Sequence, residues 1–229
     1  GFLGTNLIDG LLNMNFDINA LSRIRRTSDN SKLKWFQGDL NEKSTHIDFL
    51  ADCDVVINCA GEITDPKKYL RNNVCGVKSI YHSSQNSNLK IFIQVSSAGI
   101  YHKPDEGEIS EESKISAYNA YEKSKIDAEK WLFDQNEMKT LILRPTTIYG
   151  KDMPNESLRS LIHAISKRRF FYIGSNESNS CYISVENVVD AIIQIINRKE
   201  EIISDDVSKN CEAYNLSHDL LYKDFIEII

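Results

Sequence analysis

Asp54-Val55-Val56-Ile57-Asn58-Cys59 and Lys90-Ile91-Phe92-Ile93-Gln94-Val95-Ser96 are the two stretches on which the fold turns. Each holds three apolar residues on consecutive positions, and both end in small polar side chains. A strand with one wet face alternates; a run that is apolar on every position is a strand covered on both faces. Working outward, strand-like runs recur at Asp17–Ser22, Leu33–Gln37 and Thr140–Arg144. Stretches with helical spacing lie between them, at Phe2–Met14, Thr45–Leu50, Tyr69–Gln85 and Asn119–Phe133. That alternation predicts an α/β protein, a Rossmann-like, doubly wound parallel sheet with helices on both faces.

The rhythm changes after Pro145. Residues 1–150 read as a nucleotide-binding domain and 151–229 as a small, partial substrate lobe. Within the lobe, Leu158–Lys167 reads as a helix, Phe170–Ile173 as a short strand and Gly174–Ser180 as a loop. Asn187–Asn197 has an apolar stripe that predicts a helix packing back on the first domain. The chain opens at Gly1 directly on a helix-like run, and Tyr222–Ile229 reads as the start of a helix. The expectation is a fragment truncated at both ends, with the first strand of the sheet missing.

Lys and Arg number 27 against 33 Asp and Glu, a net charge of −6, so no overall field attracts nucleic acid or an anionic membrane. No apolar stretch has membrane-spanning length. The five cysteines form no CxxC pair and have no histidine at zinc spacing, so neither a metal site nor a disulfide framework is expected. A reducing, cytoplasmic setting fits them.

Candidate chemistry is spread along the strand ends. Gly1-Phe2-Leu3-Gly4 opens a helix, where glycines let a phosphate approach backbone N–H groups, although a plain glycine-bounded turn would look the same. Ser22 and Arg23 close the run Asp17–Ser22, with Arg25 and Arg26 nearby. A hydroxyl and a guanidinium there suit a 2′-phosphate, which slightly favours NADP over NAD; a solvated basic loop is the other reading. In Gly38-Asp39-Leu40 a carboxylate could accept from an adenine amino group, and Asn58-Cys59-Ala60-Gly61 offers small residues beside a flat ligand. Each of these could also be turn chemistry. Ser97 follows the central apolar run, where open α/β sheets place their ligands, or where a hydroxyl merely caps a turn. Tyr121 and Lys125 stand at i and i+4 of a helix, so an ammonium can sit beside a phenol and favour its ionised form.

In order and spacing, these parts resemble the extended short-chain dehydrogenase/reductase family, in its NAD(P)-dependent epimerase/dehydratase branch, over nearly the whole chain. The matching residues are Gly1-Phe2-Leu3-Gly4, Gly38-Asp39-Leu40, Asn73-Val74-Cys75-Gly76, Ser97-Ala98 with Tyr101, Tyr121 to Lys125 with Ser124, and Leu143-Arg144-Pro145-Thr146-Thr147-Ile148-Tyr149-Gly150. The resemblance implies that Tyr121 is the general acid/base. It implies further that Lys125 holds the nicotinamide ribose and lowers the tyrosine pKa, that Ser97 orients the reacting oxygen, and that Asn73 braces the site. Pro145, Thr146 and Ile148 would pass beside the nicotinamide.

By the same resemblance the activity is hydride transfer between nicotinamide and a hydroxyl-bearing carbon of a small molecule, with a nucleotide sugar the leading substrate. A homodimer through the helices at 69–85 and 119–133 is usual in the family. Sugar 4,6-dehydratases carry an Asp-Glu pair after their hydroxyl residue. Ala98-Gly99 stands here, so dehydration is disfavoured. Many nucleotide-sugar members also carry an arginine at the position occupied here by Ser180. That departure keeps open an NADP-dependent reductase of a small ketone or aldehyde, and a non-catalytic NADP-binding sensor is the third alternative.

Overall fold

The computed structural model describes residues 1–85, 89–101, 108–172, 180–204, 210–218 and 220–229. Helix α1 (Phe2–Asn13) leads into strands β1 (Ile18–Ser22) and β2 (Leu33–Gln37), helix α2 (His46–Leu50) and strand β3 (Val55–Asn58). A π-helical segment, Leu70–Cys75, runs into α3 (Gly76–Ser84), followed by β4 (Ile91–Val95), α4 (Ala120–Phe133) and β5 (Lys139–Pro145). The remainder comprises β6 (Thr147–Tyr149), α5 (Glu156–Ser166), β7 (Tyr182–Ser184), α6 (Val185–Asn197), α7 (Lys199–Ser204), β8 (Cys211–Leu216) and α8 (Tyr222–Ile228).

The main sheet runs in the order β3-β4-β5-β8 and every pairing in it is parallel, with Ile57 opposite Ile93 and Ile93 opposite Leu141. Alternation along the central strands explains their unbroken apolar runs. Ile91, Ile93, Val95, Leu141 and Leu143 face one core with Leu3, Leu7 and Leu11 of α1 and Val188, Ile192 and Ile196 of α6. Phe92 and Ile142 face the opposite core, with Val77 and Ile80 of α3 and Ala128 and Leu132 of α4. Both faces are covered, and burying these side chains supplies the main drive to fold.

Strands β1 and β2 form a separate parallel pair. Strands β1 and β3 are not paired with each other, and residues of both border the gap between them together with Leu7 and Leu11 of α1. A third parallel pair, β6 with β7, joins the exit of β5 to the start of α6, where Ser184 Oγ accepts from Asn187 N at 3.1 Å as the N-cap.

Beyond Pro145 the structure departs from the expected pattern in places. Residues 170–172 form no strand: Phe170 packs edge-on against Tyr172 at 5.0 Å, and Tyr172 against Tyr222 at 6.4 Å. The aromatic content that suggested a strand is used in ring packing instead. Ile173 lies outside the described residues, as does the loop expected at Gly174–Ser180 except for Ser180 itself. Strands β6, β7 and β8 and helix α7 were not expected. The helix expected over Tyr69–Gln85 is π-helical through Cys75 before becoming α-helical.

Candidate active site

Helix α4 owes its start to a reciprocal cap. Asn119 Oδ1 accepts from Glu122 N at 2.9 Å, and the Glu122 carboxylate accepts from Tyr118 N at 2.6 Å and Asn119 Nδ2 at 2.8 Å. With its first turn fixed in this way, Tyr121 and Lys125 project from one face.

Lys125 is 6% exposed, and its ammonium donates to the carbonyl of Val95, the last residue of β4, at 3.2 Å. Burial pushes its pKa down to about 8, opposed by the Glu129 carboxylate one turn further along α4. An ammonium has three donors, so two remain for other partners. Gly61, beyond the end of β3, runs close by: a Cβ there would lie 3.4 Å from Lys125 Nζ. Cys59 completes the wall, its thiol raised to about 12 by burial.

Tyr121 is half-buried, its ring edge-on to Tyr69 with centroids 5.8 Å apart. Lys125 Nζ lies 5.8 Å from the Tyr121 centroid. Burial raises the phenol above its ordinary value; Tyr69 adds to that, and the Ser97 hydroxyl opposes it. The expectation that Lys125 brings the phenol down is therefore not met in this arrangement. Burial outweighs the Ser97 contact, and the ammonium spends a bond on a backbone carbonyl. Ser97 starts a short 3-10 turn (Ala98–Ile100), its Oγ accepting from Gly99 N at 3.1 Å.

Asn73 ties these parts together from the π-helical segment. Its amide group donates to Ser124 Oγ at 3.0 Å and to the Glu62 carbonyl at 2.9 Å, while its oxygen accepts from Glu62 N at 2.7 Å. Ser124 in turn donates to the Tyr121 carbonyl at 2.6 Å. Glu62 is held at about 2 by the Thr64 hydroxyl, with the backbone N–H groups of Thr64, Asp65 and Ile63 adding to it. Single π turns recur at functional sites, and this one carries the brace.

The other expected binding residues divide by location. Gly1, Gly4, Ser22, Leu40, Cys59 and Ala60 border the gap between β1 and β3, whereas Ser97, Tyr121 and Lys125 do not. A Cβ at Gly1 or Gly4 would meet nothing within 4 Å, and α1 has no side-chain cap bond. A helix start without a side-chain cap leaves N–H groups of the kind that can cradle a phosphate. Leu3, 9% exposed, turns into the core, and Phe2 packs partly against it. Ser22 Oγ accepts from Ile24 N at 3.3 Å, and Arg23 is exposed at the end of β1. Arg26 instead lies over the Trp35 ring at 5.0 Å.

The Asp39 carboxylate is held below the usual range, mainly by Asn41, with Arg71 at 3.5 Å contributing. At the ends of β4 and β5, Ser96 Oγ and Thr146 Oγ1 are buried hydroxyls without a hydrogen-bond partner among the described residues. They flank the place where Pro145 ends its strand, and Ile148 follows on β6, partly buried in the first core. This donor and acceptor set fits a dinucleotide. Ser180, where an arginine would stand, is 6% exposed and spends its N–H on the Leu220 carbonyl at 2.7 Å.

Sequence reasoning missed Glu129 as a counter-charge, although it continues the i, i+4 series from Tyr121 through Lys125. It also gave no role to Arg144, which is 2% exposed and paired with Glu129 at 2.6 Å. Among the described residues no cluster of three or more His, Cys, Asp or Glu could hold a metal, and no helix is long and apolar enough to cross a membrane.

The sequence pattern of the NAD dependent epimerase/dehydratase family matches residues 1–215. The chain is 24% identical to the bifunctional UDP-glucose 4-epimerase and UDP-xylose 4-epimerase 3 of Arabidopsis thaliana, over 94% of this chain and 73% of that protein. It is 25% identical to the decarboxylating sterol-4-alpha-carboxylate 3-dehydrogenase of Bos taurus, over 96% of this chain and 63% of that protein. Among solved structures, MoeE5 in complex with UDP-glucuronic acid and NAD superposes with a TM-score of 0.76 at 21% identity, covering 100% of this chain and 78% of that one. The chain spans between about half and three quarters of the length of the curated relatives it matches.

Proposed function

The chain belongs to the NAD dependent epimerase/dehydratase family, and from that premise we propose that it carries the reacting centre of an NAD(P)-dependent epimerase acting on a nucleotide-linked sugar. The observation that carries this reading is the proximity of the Tyr121 side chain to both the Ser97 hydroxyl and the Lys125 ammonium, braced by buried Asn73. Relatives named for UDP-glucose 4-epimerisation, and a neighbour solved with UDP-glucuronic acid, support the substrate class.

A dinucleotide would be held by Gly1 and Gly4 at its phosphates, by Asp39 and Leu40 at its adenine end, and by Lys125 and Asn73 near its nicotinamide ribose. Phe2 and Leu3 would contribute backbone, Cys59, Ala60 and Gly61 a flat wall, and Pro145, Thr146 and Ile148 the far side. Ser22 and Arg23 favour NADP, since a hydroxyl and a guanidinium suit a 2′-phosphate. When bound, the nicotinamide supplies reversible hydride acceptance at its C4.

The chain's own residues handle the proton. Tyr121, protonated in this arrangement, gives its proton to the carbonyl oxygen as that is reduced, and in the reverse direction the phenolate so formed takes the proton of the substrate hydroxyl. Ser97 orients that oxygen and offsets part of the burial that keeps the phenol protonated. Lys125, an ammonium below its pKa of about 8, contributes positive charge and two free donors. Ala98-Gly99 offers neither acid nor base, which favours epimerisation over loss of water.

The division at residue 150, with a substrate lobe after it, belongs to the same reading, as does a homodimer through α3 and α4 beside exposed Leu70 and Phe133. The five free cysteines fit a reducing cytoplasm. Ser180 in place of an arginine favours a second reading, an NADP-dependent reductase of a small carbonyl compound. Assaying full-length protein with NAD and NADP against UDP-sugars separates the two. Isomer formation without net cofactor consumption supports epimerisation, whereas net NADPH oxidation with simple carbonyls and no isomer formation rejects it.

A further inference from the structure

Arg144 is the largest fully buried side chain among the described residues. It sits on β5 immediately before Pro145 and reaches back to α4, where Nε donates to Glu129 Oε2 at 3.1 Å and Nη2 to the same oxygen at 2.6 Å. Its Nη1 donates to Tyr101 OH at 2.6 Å and to the Glu111 carbonyl at 3.2 Å. Tyr101 OH donates in turn to Asn215 Oδ1 on β8 at 2.7 Å, and Asn215 N donates to the Glu111 carboxylate at 2.7 Å. One guanidinium therefore connects the segment that follows Ser97, the helix that carries Tyr121 and Lys125, and the two last strands of the main sheet.

We propose that Arg144, Glu129 and Tyr101 are positioning residues for the Ser97, Tyr121 and Lys125 centre, with Glu129 fixed by Arg144 so that its carboxylate serves as the standing counter-charge of the Lys125 ammonium. This rests on the reading of that centre given above. The spacing makes the arrangement possible, because Tyr121, Lys125 and Glu129 are successive i, i+4 positions on one helix face. The charge pattern makes it consequential. The titratable groups facing Lys125 are Tyr121 and Glu129 on its own helix and Cys59 at the end of β3, while β4 contributes only the neutral carbonyl of Val95. With Cys59 held as a neutral thiol by burial, Glu129 is the anion that keeps Lys125 charged at neutral pH. Arg144 aims that carboxylate through its two-nitrogen grip. Tyr101 carries the same grip to the turn that presents Ser97, four residues upstream.

The test is a direct titration of Lys125 by NMR in lysine-labelled protein, the resonance being assigned by its loss in Lys125→Met. The parent should titrate near 8. In Glu129→Gln the midpoint should fall by about one unit, and the alkaline limb of turnover should move to lower pH with it. Glu129→Gln leaves a buried guanidinium without its partner and can fail to fold, so Glu129→Gln/Arg144→Met, which removes both charges, carries the same expectation. Tyr101→Phe should lower kcat about tenfold with KM unchanged, through a misplaced Ser97. An unshifted Lys125 midpoint in the folded double variant overturns the proposal, as does full turnover in Tyr101→Phe. Failure of the reading beneath it looks different: Tyr121→Phe would retain turnover whatever the lysine titration shows.

Discussion

The two halves of α4 bury a cation apiece and treat it in opposite ways. Toward its C-terminal end, the Arg144 guanidinium meets Glu129 with hydrogen bonds from two nitrogens and gives a third nitrogen to Tyr101, and these partners raise its pKa. One turn earlier, Lys125 has, among the described residues, a neutral hydrogen-bond acceptor in the Val95 carbonyl, and burial lowers its pKa to about 8. A buried charge hydrogen-bonded to an opposite charge holds elements together. A buried charge with donors to spare costs stability and is available to a ligand. The contrast separates scaffold from working centre within about two turns of one helix.

Breaking the satisfied half should have the largest effect. Arg144→Ala takes away the hydrogen-bonded partner of the buried Glu129 carboxylate, and urea unfolding should show a loss of about 3–5 kcal/mol. A loss below about 1 kcal/mol would mean that water compensates the pair and that the two halves do not differ as described.

The unsatisfied half should respond with the opposite sign. Lys125→Met removes the desolvated ammonium, so the fold should gain roughly 2 kcal/mol at pH 7 while turnover is lost. The folded pKa of about 8 lies below the ordinary value of 10.5. Below pH 8 the lysine is protonated in both states and its full burial cost is present. Between those two values the folded protein gives up its proton first, so this group's contribution becomes more favourable as pH rises. Unfolding curves of the parent from pH 7 to 10 should show that rise and those of Lys125→Met should not.

The smallest effect is expected at Glu62, beside the brace. Its pKa of about 2 lies below the ordinary 4.5, so its contribution is present above 4.5 and is lost as pH falls toward 2. Glu62→Gln should lower the Tm slightly at pH 7 and not at pH 2, and should weaken cofactor binding only modestly through Asn73. A large loss of cofactor affinity would place Glu62 itself in the binding set.

Much of the working half was legible in the primary structure. The central strands announce themselves because both their faces are buried, which leaves Ile91-Phe92-Ile93 without a polar position. Helix α4 is equally plain from the helical spacing of Asn119–Phe133, with Tyr121 and Lys125 at i and i+4, while its cap by Asn119 and Glu122 shows only in the structure. The electrostatic outcome was harder to read. Spacing places an ammonium beside a phenol, but burial depends on Tyr69, Gly61 and the end of β3, which arrive from distant parts of the chain. The Arg144–Glu129 pair is hidden for the same reason, since β5 and α4 come together only in the fold. Past Pro145, β6 and β7 are three residues each and β8 mixes charged and apolar positions, so neither period stands out. Phe170 and Tyr172 look like strand residues and are used as packed rings.

The central claim is that Tyr121 moves the proton in a hydride-transfer reaction, and Tyr121→Phe in full-length protein tests it most directly. With a UDP-sugar and either dinucleotide, the variant should bind cofactor as the parent does, while turnover falls by about a thousandfold. Retention of parental turnover would contradict the account.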